Sequence, residues 1–296
     1  ELKPNVNTWL EGAWIETNSQ GLRGNKEYSY SSDKIRIETY GDSITMGQGV
    51  NLSYIYPELL NSDKYEVLNF GVTGYNTEQE IITLKEKGLK YNPKIIIIGY
   101  FLNDMDKKVP YFDKTSNYAY YKYRFTEFLM QKSYFYTFMK RKWVNIVNKF
   151  GRADNWINEI KSSYANETIM KKEEMVLDEL KQIGKENNLT IIFVNHPLLE
   201  EPFYEDYLFL KENQQIKEMI EERGFIYIDL LEDYKNVNIK NYINSVIDVH
   251  PNANGHKLIA YSINNELIKS DYFPNESAFK QEYPLNENFI NVIRLN

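Results

Sequence analysis

Cysteine is absent from all 296 residues. Disulfide staples, thiolate nucleophiles and cysteine-ligated metals are therefore excluded. No apolar run approaches the roughly 18 residues that a membrane-spanning helix needs. Histidine is scarce, with three in the chain, so few side chains can shuttle a proton near neutral pH. Excess positive charge is also missing. The 35 Lys and Arg are outnumbered by 42 Asp and Glu, for a formal net charge of −7, the wrong sign for a nucleic-acid surface. Short basic clusters such as "MKRKW" (139–143) read as a solvated helix face. There is no P-loop, no GxGxxG dinucleotide fingerprint, no GxSxG elbow and no His cluster at metal-ligand spacing. No metal or other cofactor is expected.

Hydrophobic residues make up 42% and charged residues 26%, as in a globular chain able to bury a sizeable core. The 25 tyrosines, together with many Asn, Lys and Ile, read as an AT-rich coding bias. The chain begins at Glu1, so a removed leader or a trimmed terminus is expected. The compartment stays open between cytoplasmic and secreted or membrane-anchored. Oligomeric state is not readable.

From Lys34 the pattern becomes regular. "KIRIETY" (34–40), "YEVLNFGV" (65–72), "PKIIIIGYF" (93–101), "LTIIFVNHP" (189–197) and "FIYIDLL" (225–231) read as strands. The continuous β-branched run of the third is what a strand covered on both faces looks like. Helical spacing is expected over 53–61, 76–91, 168–188, 209–224 and 252–270, with Asn76 or Thr77 as N-cap of the second. Residues 1–33 read as short extended pieces packed on the core, and 271–296 as a C-terminal extension. Strands alternating with helices imply a parallel sheet covered on both sides. Active residues in such folds gather beyond the carboxyl ends of the strands.

Chemistry-bearing residues stand at those ends. Ser43 follows the first strand, in "GDSIT". A serine needs a base within hydrogen-bond reach to lose its proton as it attacks. His250, in "DVHPNANGH", is expected in the loop before the last helix, with Asp248 nearby to orient its ring. An oxyanion would need donors. Candidates are the Ser43 N–H, the Gly74 N–H in "FGVTGYNT", where a glycine lets the backbone approach closely, and the Asn103 amide in "FLND". Taken singly, each has a plainer reading: a turn serine, a turn glycine, a loop asparagine. Their joint placement at successive strand ends favours the chemical one.

These four blocks, "GDSIT", "GVTGYNT", "FLND" and "DVHPNANGH", resemble in order the signature blocks of the SGNH hydrolases, or GDSL esterase and lipase family. "TNSQGLRG" upstream resembles a bacterial branch of it. The resemblance covers about residues 16–268. It implies a flavodoxin-like three-layer α/β/α sandwich with a central five-stranded parallel sheet over residues 34–270. It also implies Ser43 as nucleophile, His250 as base, and Gly74 and Asn103 as oxyanion donors, on small acyl esters or acetylated glycans and without a metal. The usual pattern puts the acid three residues before the histidine; here that residue is Ile247 and Asp248 is two before. Either Asp248 serves, or a backbone carbonyl orients the ring. The rival readings are an O-acyltransferase moving acetyl to a glycan and a catalytically idle carbohydrate-binding module.

Secondary expectations complete the picture. Asp42 holds the nucleophile loop, Asn76 bonds across the loops beside Gly74, and Asp104 caps the segment after it. His196 lines the pocket and His256 is structural. Residues 105–188 form a helical insertion, whose aromatic stripe at 125–139 is core packing, a lid over the site, or a membrane or partner contact.

Overall fold

The computed structural model describes residues 1–10, 12–105, 136, 139, 153–200, 207–235, 237–245 and 248–269. The chain opens with an antiparallel hairpin of β1 (Asn7–Leu10) and β2 (Ala13–Glu16). The central sheet comprises β3 (Ile35–Gly41), β4 (Tyr65–Asn69), β5 (Ile95–Phe101), β6 (Thr190–His196) and β7 (Ile226–Asp229). Their spatial order is β4-β3-β5-β6-β7, and every neighbouring pair is parallel. All five strands read from the sequence are present. β7 is shorter than expected because the chain turns directly into a helix, and Asp229 accepts from Leu231 N at 3.0 Å as its cap.

The helices are α1 (Ser43–Met46), α2 (Tyr56–Leu59), α3 (Thr77–Glu86), α4 (Ala153–Tyr164), α5 (Glu167–Asn187), α6 (Leu210–Glu222), α7 (Leu230–Asp233) and α8 (Ala253–Lys269). The helix expected over 53–61 splits into a 3-10 turn, Leu52–Tyr54, and α2. Pro57 falls in the first turn of α2, where its missing N–H has no intrahelical partner to lose. The helix expected over 76–91 stops at Glu86, and Gly88–Tyr91 tightens into a 3-10 turn. A second hairpin, β8 (Ile243–Ser245) with β9 (Asp248–Pro251), was not anticipated.

The isoleucine run of β5 explains the layering. Side chains alternate across a strand. Ile96, Ile98 and Tyr100 join one cluster with Ile81, Leu84, Leu177, Leu180 and Ile216 from α3, α5 and α6. Ile95 and Ile97 join the other with Tyr56, Leu59, Leu258 and Ile263 from α2 and α8. Each such buried side chain contributes about 1.5–3 kcal/mol relative to exposure. The result is a three-layer α/β/α sandwich of the flavodoxin-like type, as the family resemblance implies. α5 supplies Leu177, Leu180 and Ile183 to the first cluster, so this part of the expected insertion covers the sheet. The aromatic stripe at 125–139, apart from Tyr136 and Met139, lies outside the described residues, as does 271–296. Among the described residues no helix is long and apolar enough to cross a membrane.

Buried cations help tie in the N-terminal segment: Arg36 donates to Tyr30 O and Ser31 O, and Arg23 holds the stretch nearer the start. Arg23 is buried, and its guanidinium donates to four carbonyls: Met46 O (3.2 Å), Glu16 O (3.2 Å), Trp14 O (3.1 Å) and Val50 O (3.2 Å). Burial pulls its pKa down to about 10, which still leaves it charged near neutral pH. Asn18 shapes the turn leading to it by accepting from Gln20 N (3.0 Å) and Leu22 N (2.9 Å). That is the physical content of "TNSQGLRG".

Candidate active site

β3 ends at Gly41, and the chain turns at once into α1. Asp42 is its N-cap and accepts from Ile44 N at 2.9 Å. Ser43 thereby becomes the first residue of the helical turn at a strand end. Asp42 holds the loop, as its position in the sequence indicated. Ser43 Oγ lies 2.8 Å from His250 Nε2. On the far side of the ring, His250 Nδ1 lies 2.6 Å from Asp248 Oδ1.

His250 was expected in a loop; it stands instead on β9, paired with β8. The correction explains the spacing. On a strand, residues i and i+2 share a face and residues an odd number apart do not. A carboxylate two positions before the histidine can therefore meet its ring. Asp248 is further held by Asn244 Nδ2 (3.2 Å) and by the His250 backbone N–H (3.3 Å). Asn244 Nδ2 also donates to Gln48 O at 3.3 Å, which joins the hairpin to the nucleophile loop. Burial pushes the Asp248 carboxyl upward, but the bonds and charge of His250 and the Asn244 amide outweigh it, and the net shift is downward.

Gly74 and Asn103 leave the carboxyl ends of β4 and β5, the two neighbours of β3. Gly74 sits in a turn closed by Tyr75 N to Val72 O at 3.0 Å. Its φ of +87° demands glycine, whereas a Cβ there would meet nothing within 4 Å. The residue type follows from backbone conformation, and the expected close approach at that Cβ does not occur. Close approaches to the nucleophile turn are at Gly41, Gly71 and Gly99, where a Cβ would lie 2.0 Å from Thr45 Oγ1, 2.5 Å from Met46 N and 2.4 Å from Thr45 Oγ1, respectively. The Asn103 side chain makes no hydrogen bond among the described residues, and its Oδ1 is buried. Asn69 links the Gly74 loop to the nucleophile turn, donating to Thr45 O (2.9 Å) and accepting from Gly71 N (2.8 Å). Asn69, Asn244 and Arg23 are the supporting residues that sequence reading missed.

The remaining expected residues differ in outcome. Asn76 makes no bond across the loops among the described residues, while the N-cap expectation holds for it. It caps α3 in a reciprocal box with Gln79, at 3.0 and 3.1 Å. Asp104 accepts from Phe101 N at 2.7 Å, and the segment it was expected to cap lies outside the described residues. His196 is 2% exposed, beside Tyr56 at 6.0 Å between ring centroids. It backs the strand end without opening on solvent. His256 is buried on α8, accepts from Tyr56 N at 3.2 Å and stacks on that ring, a structural role. Among the described residues no three His, Asp or Glu side chains lie close enough to hold a metal.

Burial lowers the pKa of His256 to about 3 from 6.5, so it stays neutral while folded. The unfolded chain then binds a proton that the folded one refuses, and stability falls as pH drops below about 6.5. From those two values the loss at pH 5 is about 2 kcal/mol. We therefore expect the stability gap between wild type and His256→Gln to narrow by about 2 kcal/mol from pH 7.5 to pH 5 in urea unfolding. A gap independent of pH would show that the imidazole protonates within the fold.

The sequence profile of the GDSL-like Lipase/Acylhydrolase family matches residues 39–258. No curated protein matches the chain. Among solved structures, an acetyl xylan esterase is 15% identical with a TM-score of 0.48, covering 79% of this chain and 100% of that one. A G-D-S-L lipolytic protein from Veillonella parvula is 16% identical with a TM-score of 0.46, covering 78% and 97%. A two-domain esterase active on acetylated mannans, co-crystallised with mannopentaose, is 13% identical with a TM-score of 0.50, covering 81% and 50%. At these identities the likeness concerns the fold.

Proposed function

The chain belongs to the GDSL-like lipase/acylhydrolase family and hydrolyses carboxylic esters; on that premise we propose that Ser43, His250 and Asp248 carry the reaction through an acyl-enzyme. The supporting observation is the continuous path Ser43 Oγ to His250 Nε2 (2.8 Å) and His250 Nδ1 to Asp248 Oδ1 (2.6 Å). Ser43 Oγ attacks the ester carbonyl carbon while its proton passes to Nε2. Nδ1–H donates to Asp248, which steadies the imidazolium. The Ser43 and Gly74 N–H groups and the Asn103 amide donate to the oxyanion. The C–O bond to the alcohol then breaks, and the alcohol leaves with the proton from Nε2. Water enters by the same route: it loses a proton to Nε2, attacks the acyl carbon, and releases the acid and free Ser43.

Ser43 is only 7% exposed, which suits a short acyl group, and acetyl is the proposed one. The alcohol part is proposed to be a carbohydrate, the class acted on by the acetyl xylan and acetylated-mannan esterases above. A fluorophosphonate should label Ser43 in the folded protein, and hydrolysis of p-nitrophenyl esters should fall as the chain lengthens from acetate to octanoate. Absent labelling would defeat the nucleophile assignment. Rates rising with chain length would defeat the acetyl one. Recovery of acetylated glycan in place of acetate would mark transfer over hydrolysis.

A further inference from the structure

Trp9 and Trp14 are 57% and 52% exposed, although tryptophan carries more apolar surface than other side chains and is usually mostly covered. They pair directly across the N-terminal hairpin, with ring centroids 5.7 Å apart, edge to face. Strand alternation puts Asn7 and Glu16 on the same face as the two indoles. The opposite face of β2 carries Ala13 and Ile15, which are buried with Met46. β2 thus pins the hairpin to the core on one side, and the face bearing the indoles is offered outward. Along the offered face runs a groove of about 570 Å³, whose lining includes Asn7, Trp14, Glu16, Asn51, Ser53 and Glu58. No lysine or arginine is among the described residues lining it.

We propose that this face binds a neutral polysaccharide chain beside the active site. The ligand chemistry follows from the lining. Flat indoles suit the apolar C–H faces of pyranose rings. Amides, carboxylates and a hydroxyl offer paired donors and acceptors to ring hydroxyls. Two carboxylates, Glu16 and Glu58, in a lining without lysine or arginine disfavour phosphates, uronates and nucleic acid. The indole edges also stay out of water more fully against a sugar than against solvent.

Position supports a working link to catalysis. Arg23 donates at once to Trp14 O and to Met46 O, in the nucleophile turn. A guanidinium's width plus two hydrogen bonds keeps those carbonyls within about 9 Å of each other. A glycan lying on the groove would therefore pass close to α1. That link rests on the esterase reading; the binding itself does not.

The test separates the two by measuring binding without turnover, on the full chain carrying Ser43→Ala. Native affinity electrophoresis is run in gels containing neutral xylan, neutral mannan or an acidic polygalacturonate. Retardation by at least one neutral polymer is expected, with none by polygalacturonate. Trp14→Ala and Asn7→Ala should each raise the apparent Kd at least tenfold and threefold, respectively, with Trp14→Tyr restoring most of the loss. Thermal unfolding midpoints control for folding, and Asn7→Ala on an exposed position keeps the test usable if Trp14→Ala unfolds. No retardation of the parent, equal retardation of the variants, or stronger retardation by the acidic polymer would each overturn the proposal. So would sedimentation showing a dimer that Trp9→Ala and Trp14→Ala dissolve, with no glycan bound, since the face would then serve a second copy of the chain. An active enzyme that fails to bind overturns the groove alone. A binding protein that lacks esterase activity overturns the catalytic reading alone.

Discussion

Replacing Ser43 with alanine is expected to lower kcat for p-nitrophenyl acetate by about 10⁶-fold, with KM little changed. The size follows from removing the atom proposed to form the acyl-enzyme. The residual rate, about 10³–10⁴ over water, would come from binding and the oxyanion donors. The variant should fold, because α1 is capped through Asp42 and Ile44 N and not through the Ser43 hydroxyl. That hydroxyl bonds to His250, so its loss frees the imidazole and removes nothing from the core. Steady-state kinetics with active-site titration would read the effect. Retention of turnover within tenfold of wild type would take Ser43 out of the chemistry.

The second large effect is expected at Asp248. Asp248→Asn should lower kcat by about 10⁴-fold. The carboxylate accepts from the His250 ring, the His250 backbone N–H and Asn244 Nδ2. An amide in its place turns one acceptor into a donor. His250 Nδ1 would then accept, its proton would sit on Nε2, and Nε2 could no longer take the Ser43 proton. The downward shift of the Asp248 pKa keeps the acceptor ionised near neutral pH. Its stabilising contribution is present above the unfolded value and lost as pH falls through the lower folded one. Kinetics of Asp248→Asn beside Asp248→Ala would check the tautomer argument. Near-normal turnover in both would assign ring orientation to a backbone carbonyl.

The sheet was legible because burial on both faces leaves a strong mark: "IIIIGYF" has no other comfortable home than a central parallel strand. Ser43 and His250 were legible as blocks at strand ends. Asp248 stood out as one place off the usual spacing. That oddity resolves only once β9 is known, because a four-residue strand leaves too short a period to read. Asn76 was legible as a candidate N-cap, and the Asn-x-x-Gln spacing to Gln79 marks the box it forms, which leaves the expected bond across the loops without support. Gly74 was read with the wrong reason, since sequence cannot tell a positive φ from a crowded Cβ. The roles of Arg23, Asn69 and Asn244 were not legible, although Arg23 lies in the quoted "TNSQGLRG". Each bonds a backbone carbonyl, at Met46, Thr45 or Gln48, and a carbonyl is the same at every position of every sequence.

The guanidinium of Arg23 has a consequence for how the molecule breathes. Carbonyls of the hairpin and of the nucleophile loop share one buried donor group. Lifting the hairpin away takes Glu16 O and Trp14 O from the Arg23 guanidinium and strands N–H donors inside a closed interior, a cost of about 1–3 kcal/mol for each group left unpaired. The two segments therefore open as one cooperative unit, and amide exchange in the hairpin and in α1 should report a single opening free energy. A strand pair some thirty residues ahead of Ser43 is in this sense a fastener on the nucleophile. A protease that nicks it would loosen the catalytic turn without touching a residue of it.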